Sequence, residues 1–206
     1  HAGLIAAGAF PAGILFKEFG AAFWITIPAA AVVGALIGLI FGLPSLRLRG
    51  LYLAVSTLAL HFIVVYLGGE YETKRGFSTG IMIDAPRIGD LLIRDRKIWY
   101  FVLLAFAAVS LLISLNLLRS RTGRAWAAIR SHETIAEALG IGVPAHKLLA
   151  FVISSSMTAV AGALFAYYRG FVSVEAFSLF LSIQYVAMII IGGMGSLLGA
   201  ILGAIF

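Results

Sequence analysis

Long apolar blocks separated by short polar breaks dominate the pattern of the chain. The blocks cover residues 2–16, 21–41, 51–67, 98–118, 148–168 and 182 onward. A bilayer core of about 30 Å requires about 20 apolar residues in a helix, and most of the blocks approach that length. The pattern therefore predicts an all-α fold, a polytopic transmembrane helix bundle with about five to six membrane segments. We interpret 1–206 as a single transmembrane domain truncated at both ends, with 2–16 as the tail of a cut helix.

The composition agrees with a membrane protein. Hydrophobic residues make up 62% of the chain and charged residues 12%, whereas average soluble domains are about 25% charged. The formal net charge of +6 lies in the breaks between blocks. It indicates membrane topology and lipid contact rather than nucleic-acid binding, because no basic stripe with interleaved aromatic residues is present. The chain has no cysteine, which excludes disulfides and thiolate metal sites.

Two polar segments interrupt the blocks: a loop over 68–97, with Gly76, Gly80 and Pro86 as turn residues, and an insert over 119–147. If the insert faces the cytoplasm, seven lysines and arginines lie inside and eight outside. The positive-inside rule therefore does not orient the chain by totals. The short loops SLRLRG and RSRTGR are the basic ones, which favours a cytoplasmic insert.

Small residues recur every four positions in several blocks. They are Gly34, Gly38 and Gly42; Ser154, Thr158, Gly162 and Ala166; and Gly195, Gly199 and Gly203. This spacing places them on one face of a helix, where small residues allow helix backbones to approach closely. The pattern indicates a packed helix bundle and carries no information about a ligand.

No catalytic set, metal site or cofactor site is apparent in the sequence. His61 has no second histidine or carboxylate at helical spacing, so we interpret it as a neutral histidine hydrogen-bonded between helices, with a functional intramembrane group as the alternative. No glycine-rich loop ends in Gly-Lys-Ser or Gly-Lys-Thr, so we expect no ATP site of the P-loop type. None of the nine acidic residues lies clearly inside a block, which argues against a proton-coupled carrier.

The stretch IIIGGMGSLLGA, residues 189–200, places glycines in the middle of an apolar block, where they weaken a helix strongly. Broken backbone at membrane depth is tolerated where it is buried in protein or lines a cavity. Gly192, Gly193, Gly195 and Ser196 are therefore candidates for a pathway or a helix break, with a tight turn at a membrane face as the alternative. In the first case, Gly193→Leu is expected to overpack the segment by roughly 1–3 kcal/mol, with backbone strain in addition if Gly193 has a positive φ.

The first part of the insert, GRAWAAIR, has the spacing of an amphipathic helix. Ala125, Trp126 and Ile129 share one face, and Arg124 and Arg130 are placed to meet phosphates or to extend away from an apolar surface. Such a helix lies in the lipid interface or docks into a partner protein.

The second part of the insert has the signals of a short, capped helix. Thr134 is predicted to cap the turn IAEALG, with Glu137 as its capping-box partner. Gly140 suits the left-handed residue at a helix end, and Pro144 prevents the helix from continuing. The insert is therefore a compact polar element between two apolar spans.

The stretch TGRAWAAIRSHETIAEALGIGVPAHKLLAFVISSSMTAVAGALFAYYRG resembles the permease subunits of branched-chain amino-acid ABC importers. The residues that carry the resemblance are Gly123, Arg124, Trp126, Ala128, Ile129, Arg130, Glu137, Ala138, Leu139, Gly140, Lys147, Ala150 and Phe151. The segments LRLRGLYLAVSTLAL and IGGMGSLLGAILGA resemble further motifs of this family, and RGFSTGIMI does so weakly. The general importer-permease signature places a glycine four residues after Glu-Ala-Ala, whereas here Gly140 follows Ala138 by two.

The resemblance implies a transport subunit rather than an enzyme: a permease of an ATP-driven importer for branched-chain or related small amino acids. The partners it implies are ATP-binding cassette ATPase subunits, a second homologous permease subunit, an external substrate-binding protein, a small-molecule substrate and membrane lipid, with no cofactor. The implied location is the bacterial inner (plasma) membrane, multi-pass, with 119–147 as a cytoplasmic coupling loop and 68–97 as an external loop. The implied ATPase-coupling residues are Arg124, Arg130, Glu137, Ala138, Leu139 and Gly140.

Several other functions fit the same sequence. A permease for urea or short amides is the nearest, because relatives in the same family resemble such permeases. A secondary carrier or channel belongs to another class, as does a membrane-embedded structural subunit without a pathway of its own. Co-purification with a P-loop ATPase separates the importer from these two classes.

Overall fold

The computed structural model describes residues 2–46, 51–75, 80–83, 87–88, 91–92, 95–193 and 195–205. Within these residues the chain is predominantly α-helical, which confirms the predicted fold class. The helices are α1 Ala2–Phe19, α2 Phe23–Ser45, α3 Leu51–Lys74, α4 Arg96–Arg119, α5 Arg121–Ser131, α6 Glu133–Ala138, α7 Val143–Arg169, α8 Leu179–Gly192 and α9 Leu197–Ile205. A 3₁₀-helix, Val174–Phe177, precedes α8.

Four of the described helices, α1, α2, α4 and α7, are long and apolar enough to cross a membrane. Helices α8 and α9 pass the same test together, but they are bent by 120° at the break between them. The described helices thus reach five spans if this bent pair is counted as one. Helix α1 continues to Phe19 and has 18 residues, so the first block belongs to a helix that is longer than predicted and reaches span length.

Helix α3 extends further than its apolar block, which was predicted to end at Leu67. It continues through Lys74, so the first part of the predicted loop 68–97 is helical. The Nζ of Lys74 lies 2.7 Å from Oε1 of Glu70, an ion pair one turn apart that supports the last helical turn. Of the predicted turn residues, Gly80 has a φ of +91°, whereas Gly76 and Pro86 lie outside the described residues, as do Arg47 and Arg49.

In the described part of the chain, four two-residue strands lie outside the helices: β1 Ile81–Met82, β2 Arg87–Ile88, β3 Leu91–Leu92 and β4 Phe171–Val172. β1 pairs with β4 and β2 pairs with β3, both antiparallel. In the first pair Ile81 lies opposite Val172. This ribbon joins the segment after α3 to the carboxyl end of α7, at the opposite end of α7 from the polar insert.

The core of the bundle is formed by α1, α2 and α7. Gly34, Gly38 and Gly42 of α2 all face α7. A Cβ at Gly34 would meet the Ala159 side chain, and one at Gly38 would lie 2.8 Å from Cβ of Ser155. The predicted packing role of these glycines is therefore confirmed, since the absence of side chains is what allows the two backbones to approach.

In the half of α7 nearer to the polar insert, the small residues that face the core lie one position after the predicted ones. Ser154 is exposed, and it is Ser155 and Ala159 that are fully buried. The four-residue spacing did not distinguish the two stripes because Ser154, Ser155 and Ser156 are all small. Gly162 is correctly placed: a Cβ there would collide with the backbone oxygen of Ile5 in α1.

Hydrogen bonds and an ion pair connect the helices at the end near the ribbon. The hydroxyls of Thr26 and Tyr167 lie 2.6 Å apart and join α2 to α7 inside the core. The Tyr71 hydroxyl donates to Oε1 of Glu18 at 2.6 Å, and Nη2 of Arg75 lies 2.8 Å from the same oxygen, which joins α3 to α1. This end of the bundle is thus held by contacts between α2 and α7 and between α3 and α1.

His61 of α3 is buried, as predicted. It lies where α3 contacts α1, since a Cβ at Gly3 of α1 would meet the His61 backbone. Its Nδ1 has no hydrogen-bond partner among the described residues. The predicted hydrogen bond between helices is therefore not found at this nitrogen.

Candidate functional site

The polar insert forms a compact pair of helices, α5 and α6, between α4 and α7. Ser120 makes the turn from α4 into α5: its hydroxyl donates to the Leu117 oxygen at 2.6 Å and accepts from the Gly123 nitrogen at 3.3 Å. A Cβ at Gly123 would collide with the backbone oxygen of Leu118. The direct turn from α4 into α5 thus depends on a glycine at this position.

Helix α6 begins at Glu133, two residues earlier than predicted, and has no capping box. Its N-cap is His132, which makes no side-chain cap hydrogen bond, so the predicted cap by Thr134 with Glu137 is wrong. The reason is that α5 ends at Ser131 and His132 is both its C-cap and the N-cap of α6. Thr134 therefore lies inside the first turn of α6 rather than at its cap. Glu133 lies in the first turn of α6, where a carboxylate is favoured by the helix dipole.

The end of α6 is a complete Schellman motif. Gly140 has a φ of +81°, which confirms the predicted left-handed residue. The Gly140 nitrogen donates to the Glu137 oxygen at 2.9 Å, and the Ile141 nitrogen donates to the Ala136 oxygen at 3.0 Å. These two bonds pair helix-end carbonyls and give α6 a defined end.

Two contacts anchor the insert to the beginning of α7. The indole Nε1 of Trp126 donates to the backbone oxygen of His146 at 2.8 Å. The Nζ of Lys147 lies 2.6 Å from Oε1 of Glu133, with both side chains partly buried. Because α7 is also the central helix of the core, the insert is connected directly to the packed part of the bundle.

The outer surface of α6 exposes two large apolar side chains. Leu139 is 73% exposed and Ile135 is 54% exposed. They lie four residues apart, which places them on one face. Glu137, Ala138 and Gly140 are exposed beside them. We call Ile135 to Gly140 the tip of the insert; Ile135 was missed in the sequence, although its spacing from Leu139 is a signal that would have found it.

The two arginines predicted to act in coupling lie in different places. Nη1 of Arg124 donates to the Arg119 oxygen at 3.1 Å, so this side chain pairs a carbonyl at the end of α4. The Arg130 guanidinium lies against Gly195, because a Cβ placed there would meet Nη1, Nη2 and Cζ. The structure therefore places Arg130 at the glycine break rather than on the tip.

The glycine break is the turn of a helical hairpin formed by α8 and α9. A Cβ at Gly192 would collide with the Gly199 oxygen, and one at Gly203 would collide with the Met188 oxygen, so the two helices touch through their backbones. Ser196 caps α9, since its Oγ accepts from the Gly199 nitrogen at 2.7 Å. Met194 lies outside the described residues.

Gly193 and Gly195 both have left-handed backbone, with φ of +94° and +96°. A Cβ at Gly193 meets nothing within 4 Å among the described residues. The predicted overpacking by Gly193→Leu is therefore wrong at the Cβ position, which lies in open space among the described residues. What remains is the cost of placing an L residue in left-handed backbone.

A cavity of about 660 Å³ lies between α2, α4 and α7. Its lining is aliphatic and aromatic except for the hydroxyls of Ser110, Ser156 and Tyr168. An amino-acid ammonium or carboxylate would find no charged partner in this lining, so the cavity lacks the groups of a complete amino-acid site. The sequence did not indicate this cavity. Its lining residues come from three separate spans, and no charged residue among them marks a site. Among the described residues no group of three or more histidines and carboxylates is placed to hold a metal ion.

These features define a class of protein: a helical membrane protein with a capped polar insert at one end of the bundle, anchored to its central helix, and a glycine-hinged hairpin beside it. Within that class, the chain belongs to the family described as branched-chain amino acid transport system / permease component, whose model matches residues 1–206. The predicted resemblance is confirmed, and the chain is part of a multi-pass protein of the inner (plasma) membrane.

Several curated proteins are similar to this chain. The high-affinity branched-chain amino acid transport system permease proteins LivM of Salmonella typhimurium and of Escherichia coli are each 35% identical, over 100% of this chain and 54% of the relative. The probable branched-chain amino acid transport permease protein LivH of Methanocaldococcus jannaschii is 29% identical, over 95% of this chain and 64% of the relative. The chain thus spans about half the length of the LivM relatives. No solved structure matches it.

Proposed function

We propose that this chain is the transmembrane permease subunit of an ATP-driven importer that moves branched-chain or related small amino acids across the membrane. The observation that carries the proposal is the tip: two exposed apolar side chains, Ile135 and Leu139, on a capped element that is anchored to α7. Exposed apolar groups grouped on a polar element favour burial against a partner. Permease family membership supports an ATPase subunit as that partner.

In this mechanism the tip docks into a cleft of the ATPase, and ATP-driven closure displaces it. The displacement passes to α7 through the Trp126–His146 hydrogen bond and the Glu133–Lys147 ion pair. Helix α7 packs against α1 and α2 with backbones in contact at Gly8 and Gly34. Because such interfaces deform little, α7 moves its neighbours rather than sliding past them.

The importer requires partners that this chain does not supply. We propose two ATP-binding cassette ATPase subunits, a second homologous permease subunit and an external binding protein that delivers the substrate. The relatives whose names specify branched-chain amino acids favour those substrates, and no observation on this chain favours urea, short amides or a secondary carrier.

Uptake by the complete transporter tests this function. Full-length permease reconstituted with its ATPase, second permease and binding protein should accumulate labelled leucine, isoleucine or valine only when ATP is supplied. Labelled urea and acetamide serve as the matched alternatives, and an imposed proton gradient without ATP tests for a secondary carrier. Accumulation of an amide alone, or uptake driven by the gradient alone, would contradict the proposal.

The topology gives a second test. We expect Ser131→Cys, at the end of α5, to react with a membrane-impermeant maleimide only from the cytoplasmic side. Thr73→Cys, in the last turn of α3, should react only from outside. Both residues are exposed, and the chain has no cysteine of its own, so labelling of intact cells and of inverted vesicles compares the two faces directly. Reaction of both residues from one face would refute the proposed orientation of the insert.

A further inference from the structure

Two contacts of the α8–α9 hairpin with other described elements lie far apart along it. Near the beginning of α8, the Ala2 nitrogen donates to the Ser182 hydroxyl at 3.2 Å. At the turn, the Arg130 guanidinium lies against Gly195. Between these points the hairpin packs mainly on itself, through Gly192, Gly199 and Gly203. The contact with Arg130 is thus the connection between the insert and the turn of the hairpin.

The local geometry explains why an arginine and a glycine meet there. Gly195 has no Cβ, and the guanidinium occupies the position that a Cβ would take. The turn follows directly on the carboxyl end of α8 at Gly192, where the last backbone carbonyls lack helical partners and the helix dipole favours a cation. Arginine keeps its charge at all relevant pH values and presents a planar fork of donors.

We propose that Arg130 is a positioning residue that carries movement of the insert to the α8–α9 hairpin, so that displacement of the tip changes the hairpin as well as α7. This inference rests on the proposed ATP-driven import. Movement of the insert would then be transmitted through two sets of contacts. Trp126 and Lys147 connect the insert to α7, and Arg130 connects it to the glycine turn. Trp126 and Arg130 lie four residues apart on α5, so they share a face of that helix. A single displacement of α5 therefore reaches both α7 and the hairpin.

The glycines of the turn provide a matched pair for the test. Gly193→Ala and Gly195→Ala both place an alanine in left-handed backbone, at φ of +94° and +96°. Only Gly195→Ala also displaces the guanidinium, because a Cβ at Gly193 meets nothing within 4 Å. Strain depends on ψ as well as φ, and Gly193 has a ψ of 113°. The contact with Arg130 is therefore measured as the additional loss in Gly195→Ala that disappears in an Arg130→Ala background.

The complete transporter in proteoliposomes should be assayed for substrate taken up per ATP hydrolysed. We expect this ratio to fall at least tenfold further in Gly195→Ala than in Gly193→Ala, while the amount of ATPase bound stays the same. In an Arg130→Ala background the two glycine variants should behave alike. Equal losses in the native background, or a difference that persists with Arg130→Ala, would overturn the proposal.

Single arginine variants keep the test decisive if a glycine variant does not assemble. Arg130 is exposed, so its truncation leaves no cavity, and Arg130→Ala should lower uptake per ATP with ATP hydrolysis retained. Arg121→Ala removes an exposed arginine from the same helix and should leave the ratio unchanged; an equal effect of both would refute a specific role for Arg130. If the importer itself is wrongly assigned, none of these transporters will consume ATP in response to the binding protein, which distinguishes that failure from failure of the Arg130 inference.

Discussion

Replacing Leu139 with aspartate is expected to abolish ATP-coupled uptake while leaving the membrane bundle folded. The Leu139 side chain is 73% exposed, so a charge there costs the isolated permease little. In a docked complex the same side chain is buried, and its full burial is worth about 1.5–3 kcal/mol. Each 1.4 kcal/mol is about tenfold in affinity, and a buried aspartate adds a desolvation cost. We expect ATPase binding to weaken by at least about tenfold, measured by co-purification and by ATPase stimulation.

The control for Leu139→Asp is Ala127→Asp, which adds the same charge to an exposed position in the middle of α5. Docking through the tip predicts normal ATPase binding for this control. An insert that merely lies in the lipid interface predicts instead that Leu139→Asp transports normally wherever it inserts normally. Normal coupling in Leu139→Asp would therefore remove the docking proposal and favour the interfacial helix.

Gly140→Val tests the same element through its backbone. Gly140 has a φ of +81° and a Cβ there meets nothing among the described residues. The cost is therefore conformational: about 1–2 kcal/mol for left-handed backbone, and more for a β-branched residue. Gly142→Val is the matched control, since Gly142 also faces open space but has a φ of −69°. Coupling should fall in Gly140→Val and be largely kept in Gly142→Val.

Features that depend on local chemistry were predictable from the sequence. The apolar blocks give the spans because a bilayer demands long apolar helices. Gly140 was identified because its place after a short helix leaves few residues able to end it. The three glycines of α2 were identified because their spacing matches one turn of helix and no competing stripe exists on that helix.

Features that depend on how consecutive helices join, or on contacts between distant segments, were not predictable. The capping box failed because nothing in the sequence shows that α5 and α6 share one linking residue, His132. The overpacking predicted at Gly193 failed because the crowded glycine is its neighbour Gly192. The sequence analysis placed Arg130 at the ATPase surface. Its contact with Gly195 could not be read from the sequence, because the two residues are far apart in the chain.

The largest effect on stability is expected from Gly8→Ala in α1. A Cβ at Gly8 would overlap the backbone oxygen, carbonyl carbon and Cα of Ala159 in α7. Backbone atoms cannot rotate away as a side chain does, so the two helices must separate. Overpacking costs typically about 1–3 kcal/mol, and we expect the upper part of that range, because α7 also packs against α2 and resists the shift.

Gly13→Ala is the matched control for Gly8→Ala, in the same helix and equally buried. A Cβ at Gly13 would meet only side-chain carbons, the nearest being Cδ1 of Ile83 at 3.4 Å, which is ordinary contact. Alanine also favours a helix over glycine by up to about 1 kcal/mol, so Gly13→Ala should be neutral or slightly stabilising. The test is thermal unfolding of both variants in detergent. Equal unfolding temperatures would show that α1 does not cross α7 at Gly8, and the rigid connection from the insert through α7 to α1 would then fail as the mechanism of coupling.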